Sequence, residues 1–149
     1  MRRPAVSRDL AAYLKDPERN TSDFLSTWLL AALLDDPACV TDELSDYARR
    51  ISFDRSESGY HRAVALQVLA LRSTSRDIAA MKAVVSREHD PEVVRGALVA
   101  LFRAGKLDRS TASRAERISG LDTTNAYLSG RSDLPSMIHR EKRSPILTR

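Results

Sequence analysis

The 149-residue chain has one cysteine, five glycines and few aromatic residues. Cys39 cannot form a disulfide within the chain, and no cysteine or histidine cluster has the spacing of zinc ligands. We therefore expect neither a bound metal nor a cofactor. Strands favour β-branched and aromatic residues, whereas alanine, leucine and arginine are abundant here. This composition favours an all-α protein.

Long apolar runs are also missing. The sequence contains no stretch of 18 apolar residues, so nothing in it is expected to span a membrane. The first ten residues, MRRPAVSRDL, carry charge but are not followed by the apolar core of a secretory signal. These absences predict a cytoplasmic protein.

The residue patterns that are typical of catalysis do not occur. The three histidines, His61, His89 and His139, lie far apart and outside any metal-ligand arrangement. The sequence has no glycine-rich phosphate loop and no serine nucleophile elbow. We therefore expect no catalytic residue and no enzymatic activity.

Two of the few aromatic residues, Phe24 and Trp28, lie four positions apart and therefore on one face of a helix. They belong to segment 23–36, which is predicted to be helical and to end before Pro37. The spacing favours packing of both rings in the core. A platform on which nucleic-acid bases stack is the alternative interpretation.

Capping and turn residues divide the chain into helices. Thr41 is a predicted N-cap because acidic residues follow it, and Asp90 is another because Pro91 takes the first helical position. Gly105 is predicted to end the helix that Pro91 begins. The segment from residue 59 is apolar nearly all round, which is typical of a buried helix. The predicted helical segments are 7–16, 23–36, 42–53, 59–73, 75–89, 90–105 and 109–118.

The sequence repeats itself with a period of 33 residues. HRAVALQVLALR aligns with VRGALVALFRAG, which places Arg62 on Arg95. One other helix lies between the two stretches, so the repeating unit is a helix pair that must stack on its neighbours to bury a core. We predict a HEAT-like α-solenoid of about three antiparallel helix pairs in residues 1–118. A basic, disordered tail is expected in 119–149, with residues 123–149 mobile.

Two arginines lie beside the apolar faces of the repeat helices, on which Leu69 and Leu101 are predicted to be buried. The stems of Arg62 and Arg95 can pack on apolar surface while each guanidinium reaches a carboxylate or carbonyl of the adjacent unit. DPEVVR resembles the start of the second helix of a HEAT repeat, and that resemblance implies that these arginines are structural braces between units. Ligand contact is the alternative.

Positive charge is concentrated late in the chain. Residues 1–90 contain 13 Lys and Arg against 14 Asp and Glu, whereas residues 91–149 contain 11 against 6. Such a basic region can suit nucleic acid. The predicted contact residues are Arg103 on the polar side of its helix, and Lys106 and Arg109 in the loop after it. The alternative is that these charges only keep the surface soluble.

Three stretches carry a closer resemblance: YLKDPERNTSDFLSTWLLAALL, VTDELSDYARRISFDRSES and HRAVALQVLALRSTSRDIAAMKAVV. Together they resemble the α-helical repeat region that follows the polymerase core in bacterial reverse transcriptases of the retron-like and phage-defence groups. The resemblance covers roughly residues 8–118. The matching residues are Tyr13, Leu14, Asp16, Pro17, Asn20, Trp28, Ala48–Arg50, Phe53–Arg55 and Arg62.

The chain differs from that family because it lacks the catalytic motif of the polymerase. Polymerase chemistry there needs an aromatic-x-Asp-Asp turn that holds two metal ions. The only adjacent aspartates here, Asp35 and Asp36, follow leucines at the end of a predicted helix and lack the aromatic residue. The resemblance therefore implies an accessory portion without the catalyst, which is either a separate subunit or the remnant of a split or truncated gene.

Two hypotheses of function follow. The first is a non-catalytic helical-repeat module that binds a protein partner, a reverse transcriptase polymerase subunit, and contacts RNA or DNA through the phosphate backbone. The second is a generic HEAT-type scaffold that binds only protein and is unrelated to reverse transcription. A polymerase reading frame immediately upstream would favour the first hypothesis.

Overall fold

The computed structural model of the protein describes residues 3–16, 18 and 23–115. These residues form seven α-helices and no strand, which confirms the predicted all-helical class. The helices are α1 (Arg3–Lys15), α2 (Asp23–Ala32), α3 (Asp42–Phe53), α4 (Gly59–Ala70), α5 (Ser75–Arg87), α6 (Pro91–Arg103) and α7 (Arg109–Ala115). None of these helices is long and apolar enough to cross a membrane. The predicted end of the repeat domain at 118, the tail 119–149 and its mobile segment 123–149 lie outside the described residues.

Local capping explains where several helices begin. The Thr41 hydroxyl accepts a hydrogen bond from the Leu44 amide and starts α3, and the Asp90 carboxylate accepts one from the Glu92 amide and starts α6. Gly105, with φ +66°, follows α6 in the left-handed region that favours glycine. The predicted starts of these two helices are therefore correct.

The second helix is shorter than the sequence indicated. Segment 23–36 was expected to be helical throughout, but α2 ends at Ala32, and the chain continues through turns into a short 3-10 helix, Pro37–Cys39. Proline disfavours the helical conformation in the residue before it. Accordingly, Asp36 adopts φ −131° and ψ 75°, outside the α region, so the helix ends before the proline is reached.

Helix α4 is the centre of the described structure. Every residue from His61 to Ala70 is buried, and the helix contacts α2, α3, α5 and α6. Its most extensive contact is with α6, which is buried from Val93 to Leu101. Leu69 and Leu101 are both fully buried, and the burial of each stabilises the fold by roughly 1.5–3 kcal/mol. The prediction that α4 is a buried helix is confirmed.

The two central helices approach each other most closely at a glycine. A Cβ atom placed on Gly96 of α6 would lie 2.6 Å from the Ala63 Cα and 2.7 Å from the Ala63 carbonyl oxygen of α4. Both atoms belong to the backbone, so no side-chain rotation could relieve the clash. Gly96 and Ala63 are separated by one period of the sequence repeat, so equivalent positions of the two repeats are in direct contact.

Ion pairs connect the odd-numbered helices in succession. Lys15 of α1 pairs with Glu43 in the first turn of α3, and Arg49 of α3 pairs with Asp77 in the first turn of α5. Lys82 of α5 pairs with Asp108, which immediately precedes α7. In each pair a carboxylate at the start of one odd-numbered helix binds a cation on the preceding one, and negative charge is favourable at a helix N-terminus.

Candidate functional site

The large exposed apolar side chains among the described residues lie on the first two helices. Phe24 is 70% exposed, Leu25 44% and Trp28 49% on α2, and Val6 is 56% exposed on α1. Other large apolar residues of the described helices are buried or partly buried. Contiguous apolar patches on a protein surface mark sites of interaction more often than isolated apolar residues do.

The expectation that Phe24 and Trp28 pack in the core is wrong. Their spacing does place them together, with ring centroids 6.0 Å apart and planes at 64°, but on the outer face of α2. The inner face of that helix, which packs on α4, carries Ser26, Thr27 and Leu30, all buried. Small polar residues allow close packing there, and the large aromatic rings remain outside.

An apolar groove runs between α1 and α2. It has a volume of about 660 Å³ and is open to solvent. Its apolar lining comes mainly from the two helices: Val6, Leu10 and Tyr13 of α1, and Leu25, Leu29 and Ala32 of α2. We call this feature the α1–α2 groove, and the groove together with Phe24 and Trp28 the α1–α2 surface. The sequence reasoning missed it, although the apolar residues on several sides of α2 were visible.

The polar atoms at the groove are few and mostly acidic. The Ser7 hydroxyl donates a hydrogen bond to the Cys39 carbonyl oxygen over 2.7 Å, which ties α1 to the 3-10 helix. The buried Cys39 thiol donates to the Asp36 carboxylate. Asp9 and Asp36 contribute to the lining, and none of the described residues that line the groove is a lysine or arginine. The lining of the groove is therefore mainly apolar and includes two carboxylates.

Arg62 and Arg95, which were predicted to connect adjacent units, are both buried, but they bind different kinds of partner. Arg62 donates through Nη2 to the Glu88 carboxylate over 2.7 Å and through Nε to the Ser52 carbonyl oxygen, so it joins the end of α3 to the residue after α5. Burial raises the pKa of Glu88, but the hydrogen bonds from Arg62 and nearby amides outweigh it and hold that pKa below its usual value. Arg95 donates to Glu92 in its own helix over 2.7 Å.

The three predicted nucleic-acid contacts are exposed on α6, the turn after it and α7. Arg103 donates through Nη1 to the side-chain oxygen of the buried Gln67 over 3.1 Å. Partial burial lowers the Arg103 pKa, and the nearby Asp35 carboxylate opposes that effect. Lys106 lies in the turn, whereas Arg109, expected in the same loop, is the first residue of α7.

The histidines are dispersed, as the sequence indicated. His61 is buried, with Nδ1 3.0 Å from a Glu57 carboxylate oxygen, and His89 is exposed in the turn before α6. His139 lies outside the described residues. In the described part of the chain no group of three or more His, Cys, Asp or Glu side chains could hold a metal ion. The α1–α2 surface, by contrast, combines a groove with exposed aromatic and aliphatic side chains.

Comparison with known proteins adds no family to this description. No family model matches the chain, and neither a curated protein nor a solved structure matches it. The reverse transcriptase resemblance accordingly rests on the sequence motifs alone.

Proposed function

We propose that the protein is a non-catalytic helical-repeat module that binds a protein partner through the α1–α2 surface. The exposure of Phe24, Leu25 and Trp28 beside an apolar groove is the observation that supports this proposal. In stacked-repeat proteins the end units need a polar outer face to stay soluble. An end that instead presents aromatic and aliphatic side chains has the composition of a protein interface, in which aromatic residues are enriched.

The HEAT-like solenoid, with about three antiparallel helix pairs, is the arrangement that we propose for the module. Consecutive helices α3 and α4 contact each other, as do α5 and α6. Helices that are two apart along the chain also contact each other: α1 with α3, α2 with α4, α4 with α6, and α5 with α7. The α3 to α5 connection is supplied by the Arg49–Asp77 ion pair. Contact between neighbours and next neighbours is what stacked helix pairs require.

The partner that we propose is a reverse transcriptase polymerase subunit. Two residues that carry the sequence resemblance, Tyr13 and Trp28, belong to the α1–α2 surface, so the motif and the candidate interface coincide there. A generic protein-binding scaffold unrelated to reverse transcription is the alternative. It becomes the better explanation if no polymerase gene adjoins the gene for this chain.

Co-purification tests this proposal. The full chain is co-expressed with the polymerase encoded beside its gene, and the amount of polymerase retained is compared between the wild type, Leu25→Asp and Arg76→Ser. Leu25 is half-exposed in the groove lining and Arg76 is exposed on α5. We expect Leu25→Asp to retain at least tenfold less polymerase and Arg76→Ser to match the wild type. Equal retention by all three, with circular dichroism showing folded variants, would contradict the proposed interface.

RNA or DNA is a further proposed partner, contacted through Arg103, Lys106 and Arg109. Contacts of this type neutralise phosphates without reading bases, so we expect modest affinity that falls steeply with salt. Replacing all three residues by alanine should weaken binding to single-stranded and structured RNA alike and flatten the salt dependence. Filter binding at low salt measures both effects. No retention of RNA or DNA at ~10 μM protein would leave only protein binding.

A further inference from the structure

The two helices that form the α1–α2 groove present their apolar side chains at the spacing of helix ridges. Val6, Leu10 and Tyr13 recur at intervals of four and three residues along α1. Leu25, Leu29 and Ala32 recur in the same way along α2. Such rows form ridges with a groove between them, and the side chains of a third helix fit between the rows.

The apolar surface extends beyond the groove itself. Phe24 is 70% exposed although it adjoins the Trp28 ring. A small molecule confined to the groove would leave such outer side chains in water. An elongated occupant that also covers the outer face of α2 removes more apolar area from water and therefore gains more binding free energy.

Charge restricts the occupant further. Asp9 and Asp36 are the charged residues among the described groove lining. A second copy of this chain, packed on the same surface by a two-fold axis, would bring carboxylates of one copy towards those of the other, and like charges in contact disfavour an interface. Lysine or arginine at the edges of the occupant would instead be complementary.

From these features we infer that the α1–α2 groove binds an amphipathic α-helix of a partner protein, with apolar residues at intervals of three and four and with lysine or arginine along its polar edges. This inference rests on the proposed function and specifies the chemistry of the partner. The apolar face of the helix supplies affinity, whereas Asp9 and Asp36 select its charge.

Synthetic helices test the inference without a known partner. Three peptides of about 14 residues, each ~21 Å long as a helix, match the length of the 13-residue α1. The first carries leucines at the stated spacing and lysine edges, the second has glutamate edges, and the third is a scrambled version of the first. None contains tryptophan, so the emission of Trp28, the one tryptophan of the chain, reports binding at the surface directly.

We expect the lysine-edged peptide to shift the Trp28 emission with a Kd in the micromolar range, the glutamate-edged peptide to bind at least tenfold more weakly, and the scrambled peptide to leave the emission unchanged. In the double variant Asp9→Asn/Asp36→Asn, the two leucine peptides should bind within about threefold of each other. Asp42→Asn is the matched control, because that carboxylate is exposed at the start of α3 and outside the groove. This control should preserve the wild-type preference.

Other outcomes overturn the inference in distinguishable ways. Equal affinity for both leucine peptides in the wild type would refute the charge selection and leave the proposed protein-binding surface standing. Binding of neither peptide to the folded protein would refute helix docking. So would a stable dimer in sedimentation, lost in Leu25→Asp, since a second copy would then cover the groove. Failure of the proposed function itself is read separately, from the polymerase co-purification.

Discussion

Helices α2 and α4 are both rich in apolar residues, yet they differ in how much of their surface is buried. α4 is buried from His61 to Ala70 because four other helices contact it. Among the described helices, α2 has extensive contacts with α4. Phe24 and Trp28 lie on the other side of α2 and are exposed. The number of neighbouring helices, rather than the apolar content of a helix, therefore decides whether its side chains are buried or exposed.

Truncating buried leucines should have the largest effect on stability. Leu69→Ala and Leu101→Ala each remove a fully buried side chain from the central helices, and we expect each to lower the free energy of unfolding by roughly 2–5 kcal/mol. Urea denaturation followed by circular dichroism measures the loss.

The same substitution on α2 provides the matched control for the leucine truncations. Leu25 is 44% exposed, so Leu25→Ala should cost less than about 1 kcal/mol, in proportion to the smaller area that it buries. An equal loss at Leu25 and Leu101 would show that the α1–α2 surface belongs to the core, and the contrast between the two helices would disappear.

The close approach of α4 and α6 predicts the next largest effect. Alanine is the better helix former by about 1 kcal/mol, but the added methyl group at Gly96 would clash with the Ala63 backbone. We expect Gly96→Ala to destabilise the protein by about 1–3 kcal/mol, as overpacking does. Adding Ala63→Gly should not restore stability, because the closest atoms are backbone atoms. A rise in the urea midpoint of Gly96→Ala would mean that the two helices are not in such close contact.

The ion pair between α3 and α5 predicts a smaller, pH-dependent effect. The Arg49 guanidinium donates two hydrogen bonds to the Asp77 carboxylate, at 2.8 and 3.0 Å, and this pairing, with hydrogen bonds from Thr74, lowers the pKa of Asp77 to about 2 against the opposing effect of burial. Because the folded pKa lies below the ordinary value of 3.8, the stabilisation is complete above about pH 4 and is lost as the pH falls towards 2.

Asp77→Asn should remove that stabilisation. We expect a loss of about 1–2 kcal/mol at pH 7, reduced from the full linkage value because Arg49 is partly exposed, and a flatter dependence of unfolding free energy on pH between 2 and 4. Asp46→Asn is the control: this carboxylate also pairs with Arg49 but is 72% exposed, so its loss should change stability by less than about 0.5 kcal/mol. Identical pH profiles for wild type and Asp77→Asn would contradict the predicted coupling.

The smallest effect on stability is expected on the outer face of α2. Phe24→Ser removes a side chain that is 70% exposed, so the unfolding free energy should change by about 0.5 kcal/mol or less. The lysine-edged peptide should nevertheless bind several-fold more weakly to this variant, because part of the apolar surface is lost. A large destabilisation would instead support the original expectation that Phe24 is a core residue.

The features that the sequence predicted well are those that depend on adjacent residues. Thr41 and the Asp90-Pro91 pair mark helix starts through hydrogen bonds and backbone restrictions that act within a few positions. The buried character of α4 also follows from its own residues, since they are apolar nearly all round. The end of α2 was predicted less accurately, because the helix stops at Ala32 and residues 33–35 form turns before Pro37.

The candidate site was harder to predict because it consists of apolar side chains on a helix face that stays exposed. Spacing alone puts Phe24 and Trp28 on one face but cannot tell whether that face meets another helix. The small buried residues Ser26 and Thr27 were the available signal, since they occupy the side that packs on α4. The Arg49–Asp77 pair joins residues 28 apart, and no local pattern indicates which of many carboxylates an arginine will reach.

The contacts of three arginines also bear on the order in which parts of the chain can fold. Arg49 reaches Asp77 over 28 residues, Arg62 reaches Glu88 over 26 and Arg72 reaches the Val40 carbonyl oxygen over 32. None of these three contacts needs a residue beyond Glu88. During synthesis, when the N-terminal part of a chain emerges first, α3 can pack on α4 before α6 has been made. All residues of the α1–α2 surface would then have been synthesised while α6 and α7 are still to be made.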